Sequence, residues 1–248
     1  MKTTDNTILI TGGASGIGRG LAEAFHKLGN RVIICGRRQG ALDEVTAANP
    51  GMMSLPLDIT DNDSIQGCVE HAIYHYPSLN VLINNAGIMC LEDVKASLAY
   101  LPDAEAMVMT NLLGTIRMSA AILPHLLRQP RSALFTVTSG LAYVPLTVAP
   151  TYCGTKAAVH SYTMALRQQL QGTSVEVIEL APPYVQTELL GAHQATDPNA
   201  MPLADYIGET MALLAAGETE VIVERCKPLR FAAEQGRMDQ MIRTLNGH

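Results

Sequence analysis

Tyr152 and Lys156 stand four residues apart in Pro150-Thr151-Tyr152-Cys153-Gly154-Thr155-Lys156, and Ser139 lies thirteen positions before the tyrosine. On a helix, positions i and i+4 share a face. A phenol then stands one turn from an ammonium, and the Ser139 hydroxyl can fold toward both. Such a set can hold a carbonyl oxygen and hand it a proton. A Tyr-x-x-x-Lys pair alone is a weak signal, because many surface helices carry one. A second element gives it meaning: Thr11-Gly12-Gly13-Ala14-Ser15-Gly16-Ile17-Gly18 directly follows an apolar run that reads as a strand. Together they point to nucleotide-dependent redox chemistry.

Gly12, Gly16 and Gly18 allow a tight turn and close approach of the backbone to a pyrophosphate. The helix that follows offers free N–H groups and a partial positive charge. The spacing is Gly-x3-Gly-x-Gly, unlike the common Gly-x-Gly-x-x-Gly fingerprint. The plain alternative is a glycine-rich connection that holds nothing. No Lys-Ser/Thr follows, which argues against a P-loop NTPase. After the next strand the chain reads Cys35-Gly36-Arg37-Arg38. An acidic residue there would grip the ribose hydroxyls of NAD. Gly36 takes that place, and Arg37 and Arg38 offer guanidinium groups suited to a 2′-phosphate. NADP(H) is therefore expected over NAD(H), unless the arginines are only solvated loop charges. Asp58 closes the third strand region, either accepting from an adenine amino group or capping the turn that follows.

These residues need a scaffold that brings them to one edge. Strands are expected at 7–11, 31–35, 53–55, 81–84, 133–138, 174–180 and 220–223, with helices near 17–28, 40–48, 62–76, 103–128, 151–171 and 203–215. Several strands are apolar on both faces, as parallel strands covered by helices must be. The alternation predicts an α/β fold: a doubly wound, mostly parallel sheet in three α/β/α layers. Ligands of such sheets bind beyond the carboxyl ends of the strands, where every motif above falls.

Composition agrees. The 248 residues are 48% hydrophobic and show no linker, charge block or repeat, so one domain over 1–248 is expected. A net charge of -6 without a basic stripe argues against nucleic acid. The uncharged stretch 132–155 carries Gly140, Pro145 and Pro150, which argues against a membrane span. The five cysteines are scattered without metal spacing, and no signal-peptide pattern opens the chain; a cytoplasmic location is expected. Cys153, beside Tyr152, reads as a small packing residue rather than a nucleophile. His71 and His75 have zinc-like spacing but no recognisable third ligand, so no metal is expected.

Nearly the whole chain resembles the short-chain dehydrogenase/reductases. The matches are Thr11-Gly12-x3-Gly16-Ile17-Gly18, Asn84-Asn85-Ala86-Gly87, Asn111, Ser139 and Tyr152-x3-Lys156, in family order and spacing. Within the family it resembles a bacterial subgroup often labelled as D-alanine-esterification oxidoreductases, a label that defines no substrate. The resemblance implies a catalytic set of Asn111, Ser139, Tyr152 and Lys156. It implies cofactor contacts from Gly12, Ser15, Gly16, Ile17, Gly18, Arg37, Arg38, Asp58, Ile59, Asn85, Ala86, Gly87, Pro182, Val185 and Thr187, with Tyr152 and Lys156 on the nicotinamide ribose. Asn111 would order a water linking Lys156 to solvent; a helix-interior Asn bonding its own backbone is the alternative. A homodimer or homotetramer pairing the long helices is implied as well. Two departures stand out. Ala181-Pro182-Pro183 replaces the usual Pro-Gly, and the chain from Cys226 onward lacks the family's glycine-rich ending.

The expected reaction is hydride transfer between nicotinamide and a carbonyl or alcohol carbon. Tyr152 would donate the proton, with its phenol, ordinarily near about 10, lowered by the Lys156 ammonium. Ser139 would fix the oxygen. Met89, Cys90, Leu141, Tyr143, Val144, Tyr184 and a lid over 188–203 are the expected substrate contacts. They imply a hydrophobic ketone, aldehyde or secondary alcohol. The competing class is a non-catalytic dinucleotide-binding regulator on the same fold. Sugar epimerisation needs a larger substrate domain than this chain provides.

Overall fold

The seven expected strand regions pair into one parallel sheet in the computed structural model, which describes residues 1–247. The strands are β1 (Thr7–Thr11), β2 (Arg31–Gly36), β3 (Met53–Pro56), β4 (Leu79–Asn84), β5 (Ser132–Val137), β6 (Val175–Leu180) and β7 (Glu220–Val221). Their order is β3-β2-β1-β4-β5-β6-β7, with every pairing parallel. Parallel neighbours need crossovers, which the helices α1 (Gly16–Lys27), α2 (Gln39–Ala48) and α3 (Asn62–His75) provide in the first half. The second half uses α4 (Leu101–Met107), α5 (Gly114–Leu126), α6 (Pro150–Gln169) and α7 (Leu203–Ala215).

Side chains alternate across the strands, so the central strands feed two cores. Ile8, Ile10, Ile34 and Phe135 meet Leu21 and Phe25 of α1 and Tyr206 of α7 on one face. Leu9, Ile33, Leu82 and Leu134 meet Ile65 of α3, Met118 and Ile122 of α5 and Leu166 of α6 on the other. Burying each such aliphatic side chain stabilises the fold by about 1.5–3 kcal/mol. The strand order reverses between β1 and β4, and the crevice beyond those strand ends receives the glycine-rich turn.

The structure departs from the sequence expectation in the second half of the chain. The helix expected over 103–128 is α4 and α5 joined by a π-helical turn, Val108–Leu113. The run Val94–Leu126 is long and apolar enough to cross a membrane by length and composition. Here Met107, Met118, Ile122 and Leu126 from it are buried among core side chains. The last strand ends at Val221 instead of 223, because the chain turns into a 3-10 turn at Glu224–Cys226. Beyond it lie two short helices, α8 (Lys227–Arg230) and α9 (Met238–Leu245), for which no element was expected.

Candidate active site

Pro150 occupies the first turn of α6, where its missing N–H costs nothing. The helix then carries Tyr152 and Lys156 inward, 6% and 5% exposed. The Lys156 ammonium donates to Val137 O at 2.8 Å and lies 5.7 Å from the Tyr152 ring centroid. Ser139 follows β5 in extended conformation, and its hydroxyl accepts from Leu141 N at 3.1 Å. Asn111 sits in the π-helical turn. Its amide donates to Ile88 O at 2.9 Å and to Thr155 Oγ1 at 3.2 Å, while its oxygen accepts from Ile88 N at 2.9 Å. It therefore clamps the chain after β4 rather than bonding its own helix. A Cβ on Gly87 would lie 3.3 Å from Asn111 Oδ1 and 3.6 Å from Lys156 Nζ, so glycine lets these groups converge. The four expected catalytic side chains thus gather at one strand-end crevice.

Burial dominates the electrostatics. It pushes the Tyr152 phenol above its ordinary value, and the Ser139 hydroxyl pulls it only partway back. Burial also pulls the Lys156 ammonium down to about 8. The expectation that Lys156 leaves the phenol below its ordinary value is corrected: the shift runs upward, and burial of the phenol is its first cause. The phenol therefore holds its proton near neutrality, and the amine is the group poised to titrate.

The glycine turn is tied to both neighbouring strands. Gly12 N and Gly13 N donate to Cys35 O at 2.8 and 3.2 Å. The Asn85 amide donates to Thr11 O and Gly12 O at 3.0 and 3.1 Å, and Thr11 Oγ1 accepts from Asn85 N and Ala86 N. Gly12 and Gly16 have φ of 65° and 52°, the left-handed region that favours glycine. Ser15, at the N-cap of α1, makes no side-chain cap bond and the first turn holds no acidic residue. Ile17 follows it, half-buried, in that first turn. Ser15 Oγ instead accepts from Arg38 at 3.1 Å, which brings that guanidinium to the mouth of the turn. Arg37 is exposed beside it, and its charge reaches Asp58.

Asp58 Oδ1 accepts from Thr60 Oγ1 and Thr60 N at 2.7 and 2.9 Å, and these bonds hold the carboxyl below its usual range. Of its two expected roles, turn capping is the one the geometry shows. Ile59 is buried against the position of Gly114, where a Cβ would come within 2.8 Å. Pro182 O accepts from Gly140 N at 2.9 Å. Val185 is buried, and the Thr187 methyl faces Gly16 at 3.4 Å from where a Cβ would stand. Gln194, which the sequence did not single out, holds this segment by donating to Val185 O at 2.8 Å and Thr187 Oγ1 at 3.0 Å.

On the substrate side, Met89, Cys90 and Leu141 pack around the cluster of Met107, Ala149 and Tyr152. Two expected contacts are corrected. Val144 is fully buried in the core. Tyr143 packs against the sheet core, its hydroxyl 3.4 Å from Glu179 Oε1 and 3.3 Å from Glu220 Oε1. Tyr184 is partly exposed and donates to Asp197 at 3.0 Å. The 188–203 segment is pinned where Met201 N donates to Tyr184 O and Gln186 N donates to Met201 O, each at 2.8 Å.

Tyr143 belongs to a charge cluster around the buried Glu179 that no sequence motif marks. Glu179, fully buried on β6, accepts from Thr138 Oγ1 at 2.7 Å and bonds His160 Nδ1 at 2.9 Å. Glu220 pairs with Arg230, whose guanidinium lies 5.2 Å from the Tyr143 ring centroid. His160, Glu179 and Glu220 place ligand-type atoms within 4.8 Å of one another, and Arg230 supplies positive charge there. Two signals were available: a carboxylate inside an apolar strand, and a histidine that continues the four-residue spacing of Tyr152 and Lys156. His71 and His75 lie apart from this trio, with ring centroids 4.2 Å apart on α3.

A family model described as short chain dehydrogenase matches residues 6–198. DltE of Bacillus subtilis, described as an uncharacterized oxidoreductase, is 41% identical over 249 residues, covering 98% of this chain and 99% of that one. An NADP-dependent 3-hydroxy acid dehydrogenase of Schizosaccharomyces pombe is 30% identical over 252 residues, with 96% of each chain covered. Among solved structures, a short chain dehydrogenase from Burkholderia cenocepacia in complex with NADP superposes with a TM-score of 0.84. It is 25% identical, with 98% of this chain and 99% of that one covered.

Proposed function

The chain belongs to the short-chain dehydrogenase/reductase family of oxidoreductases, and from that premise we propose that it is an NADP(H)-dependent carbonyl reductase or alcohol dehydrogenase. The observation that carries this reading is the meeting of Asn111, Ser139, Tyr152 and Lys156 beside Gly87, in the same strand-end crevice as the glycine turn. The cradle fits a dinucleotide. Gly12 and Gly16 adopt positive φ, a Cβ on Gly16 would meet only the Thr187 side chain, and α1 opens without acidic residues.

In this reading Gly12, Ser15, Gly16, Ile17 and Gly18 hold the pyrophosphate at the α1 N-terminus. Arg37 and Arg38 take the 2′-phosphate, Asp58 and Ile59 flank the adenine, and Asn85, Ala86 and Gly87 support the ribose. Pro182, Val185 and Thr187 meet the carboxamide. Bound nicotinamide supplies or accepts the hydride at the substrate carbon. The protein then has one proton to manage. Tyr152 keeps its phenol protonated at neutral pH through burial and delivers that proton to the developing alkoxide. Ser139 fixes the oxygen with its hydroxyl. Lys156, protonated below about 8, stabilises the phenolate left behind. Asn111 with an ordered water returns the proton through Lys156.

Met89, Cys90 and Leu141 give an apolar rim, which suits a hydrophobic ketone, aldehyde or secondary alcohol. The 188–203 segment serves as lid. The enzyme works in the cytoplasm as a homodimer or homotetramer. The test is NADPH and NADH consumption with a panel of ketones. Turnover with NADPH ahead of NADH supports the reading, whereas tight NADPH binding without turnover on any carbonyl supports a regulator instead.

A further inference from the structure

The helix that carries Tyr152 is capped from another part of the chain. Ala149 at its N-cap has no side-chain acceptor, so the early N–H groups need one from elsewhere. Glu92 provides it. Thr151 N donates to Glu92 Oε2 at 2.8 Å, and Thr151 Oγ1 donates to Oε1 at 2.7 Å. The Glu92 amide donates in turn to Val148 O at 2.8 Å. Glu92 is only 7% exposed, and a carboxylate taken that far from water is held by charge-assisted bonds of this kind. Its negative charge also suits a helix N-terminus.

The same stretch of chain is fixed at its other end. Asn111 bonds both N and O of Ile88, and Cys90 N donates to Met107 Sδ at 3.4 Å. Residues 88–92 are therefore strung between Asn111 and Thr151. Within them, Met89 and Cys90 form part of the apolar wall around Tyr152.

We propose that Glu92 is a positioning residue: it sets the first turn of α6, and hence the Tyr152 phenol, in register with the wall at Met89 and Cys90. This rests on Tyr152 as proton donor. Tyr152 is the immediate neighbour of the capped residue, whereas Lys156 lies a turn deeper, anchored on Val137 O. Later helix residues such as Val159, Thr163 and Leu166 are buried in the protein. Loss of the cap therefore loosens the turn bearing the phenol and leaves the rest of the helix seated. A misplacement of this order slows chemistry much more than it weakens cofactor binding.

The experiment compares Glu92→Ala, Glu92→Gln, Thr151→Val and Tyr152→Phe in the full-length enzyme. It follows carbonyl reduction, NADPH dissociation and thermal melting. For Glu92→Ala, kcat is expected to fall about tenfold to a hundredfold while the NADPH dissociation constant moves less than about threefold. The solvent deuterium isotope effect on kcat rises, because the slowed step is proton delivery. Glu92→Gln keeps an acceptor for Thr151 N and recovers most of the rate. Thr151→Val removes one of the two bonds and keeps its backbone donor, so it shows the same kcat loss in smaller measure even if Glu92→Ala does not fold. A kcat within about twofold of the parent in both Glu92→Ala and Thr151→Val overturns the positioning role. So does a kcat loss matched by equal loss of NADPH binding. An inactive Tyr152→Phe beside unaffected Glu92 variants sinks only this inference; an active Tyr152→Phe sinks the proton-donor reading and this inference with it.

Discussion

Replacing Gly18 by alanine tests the nucleotide cradle without removing a polar group. A Cβ at that position would lie 2.3 Å from Gly12 O and 2.4 Å from Asn85 Nδ2. The carbon–oxygen distance must grow by about an ångström to reach ordinary contact. The atoms in the way are the Gly12 carbonyl and the amide that holds it, so the turn has to shift. Overpacking of this kind costs about 1–3 kcal/mol, and loss of the Asn85–Gly12 bond adds about 0.5–1.5 kcal/mol. In a chain of 248 residues, each kcal/mol moves Tm by about 2–4 °C. A drop of about 3–18 °C is expected, with NADPH binding weakened about tenfold or more because the displaced backbone is the phosphate seat. Gly208 in α7 is the control. A Cβ there meets nothing within 4 Å, so Gly208→Ala gains helix propensity and is expected to stabilise by about 0.5–1 kcal/mol. Differential scanning calorimetry and NADPH fluorescence titration read both. A Gly18→Ala protein with the parent's Tm and NADPH affinity refutes the close-approach argument.

Three further outcomes follow from the site. Lys156 is charged below about 8, and kcat/KM reports ionisations of the free enzyme. For carbonyl reduction, kcat/KM should be level on the acid side of that value and fall as pH rises through it, while Tyr152 stays protonated. The sign for stability is opposite. Because the folded value lies below the ordinary 10.5, the unfolded chain binds more protons between about 8 and 10.5, and folding becomes more favourable as pH rises across that window. A kcat/KM that climbs through pH 8 contradicts the Lys156 role. Replacing Arg37 and Arg38 together by alanine should cut the NADPH-over-NADH preference by about tenfold or more, since each charged hydrogen bond contributes about 1.5–3 kcal/mol. Unchanged discrimination in steady-state kinetics would remove the 2′-phosphate assignment.

The parallel sheet was legible because strands buried on both faces read as short apolar runs, as Val32-Ile33-Ile34 shows. The π-helical turn at Val108–Leu113 was not. The apolar pattern runs through a local widening of the helix, and what seats that stretch is the Asn111 clamp on Ile88, distant in sequence. α9 shows the reverse case. Met238, Met241, Ile242 and Leu245 repeat at helical spacing, so the chain itself carries the signal for this helix. At the site, Tyr152 and Lys156 were readable because their relation is local to one helix. Tyr143 points away from the expected substrate side because the direction of a loop side chain depends on its tertiary partners, here Glu179 and Glu220. Glu92 and Gln194 share that difficulty: each acts on backbone far away or across a turn, and neither belongs to a recognisable motif. The phenol's upward shift is not legible in the sequence, where charge proximity is visible and the extent of burial is not.

The most direct measurement is NADPH oxidation by Tyr152→Phe with a ketone that the parent enzyme reduces, alongside NADPH titration of the same protein. The hydroxyl is the only group lost, so turnover should disappear while NADPH binds almost as before. Substantial turnover by that variant would mean the proton comes from elsewhere, and the site described here would not be the one that does the chemistry.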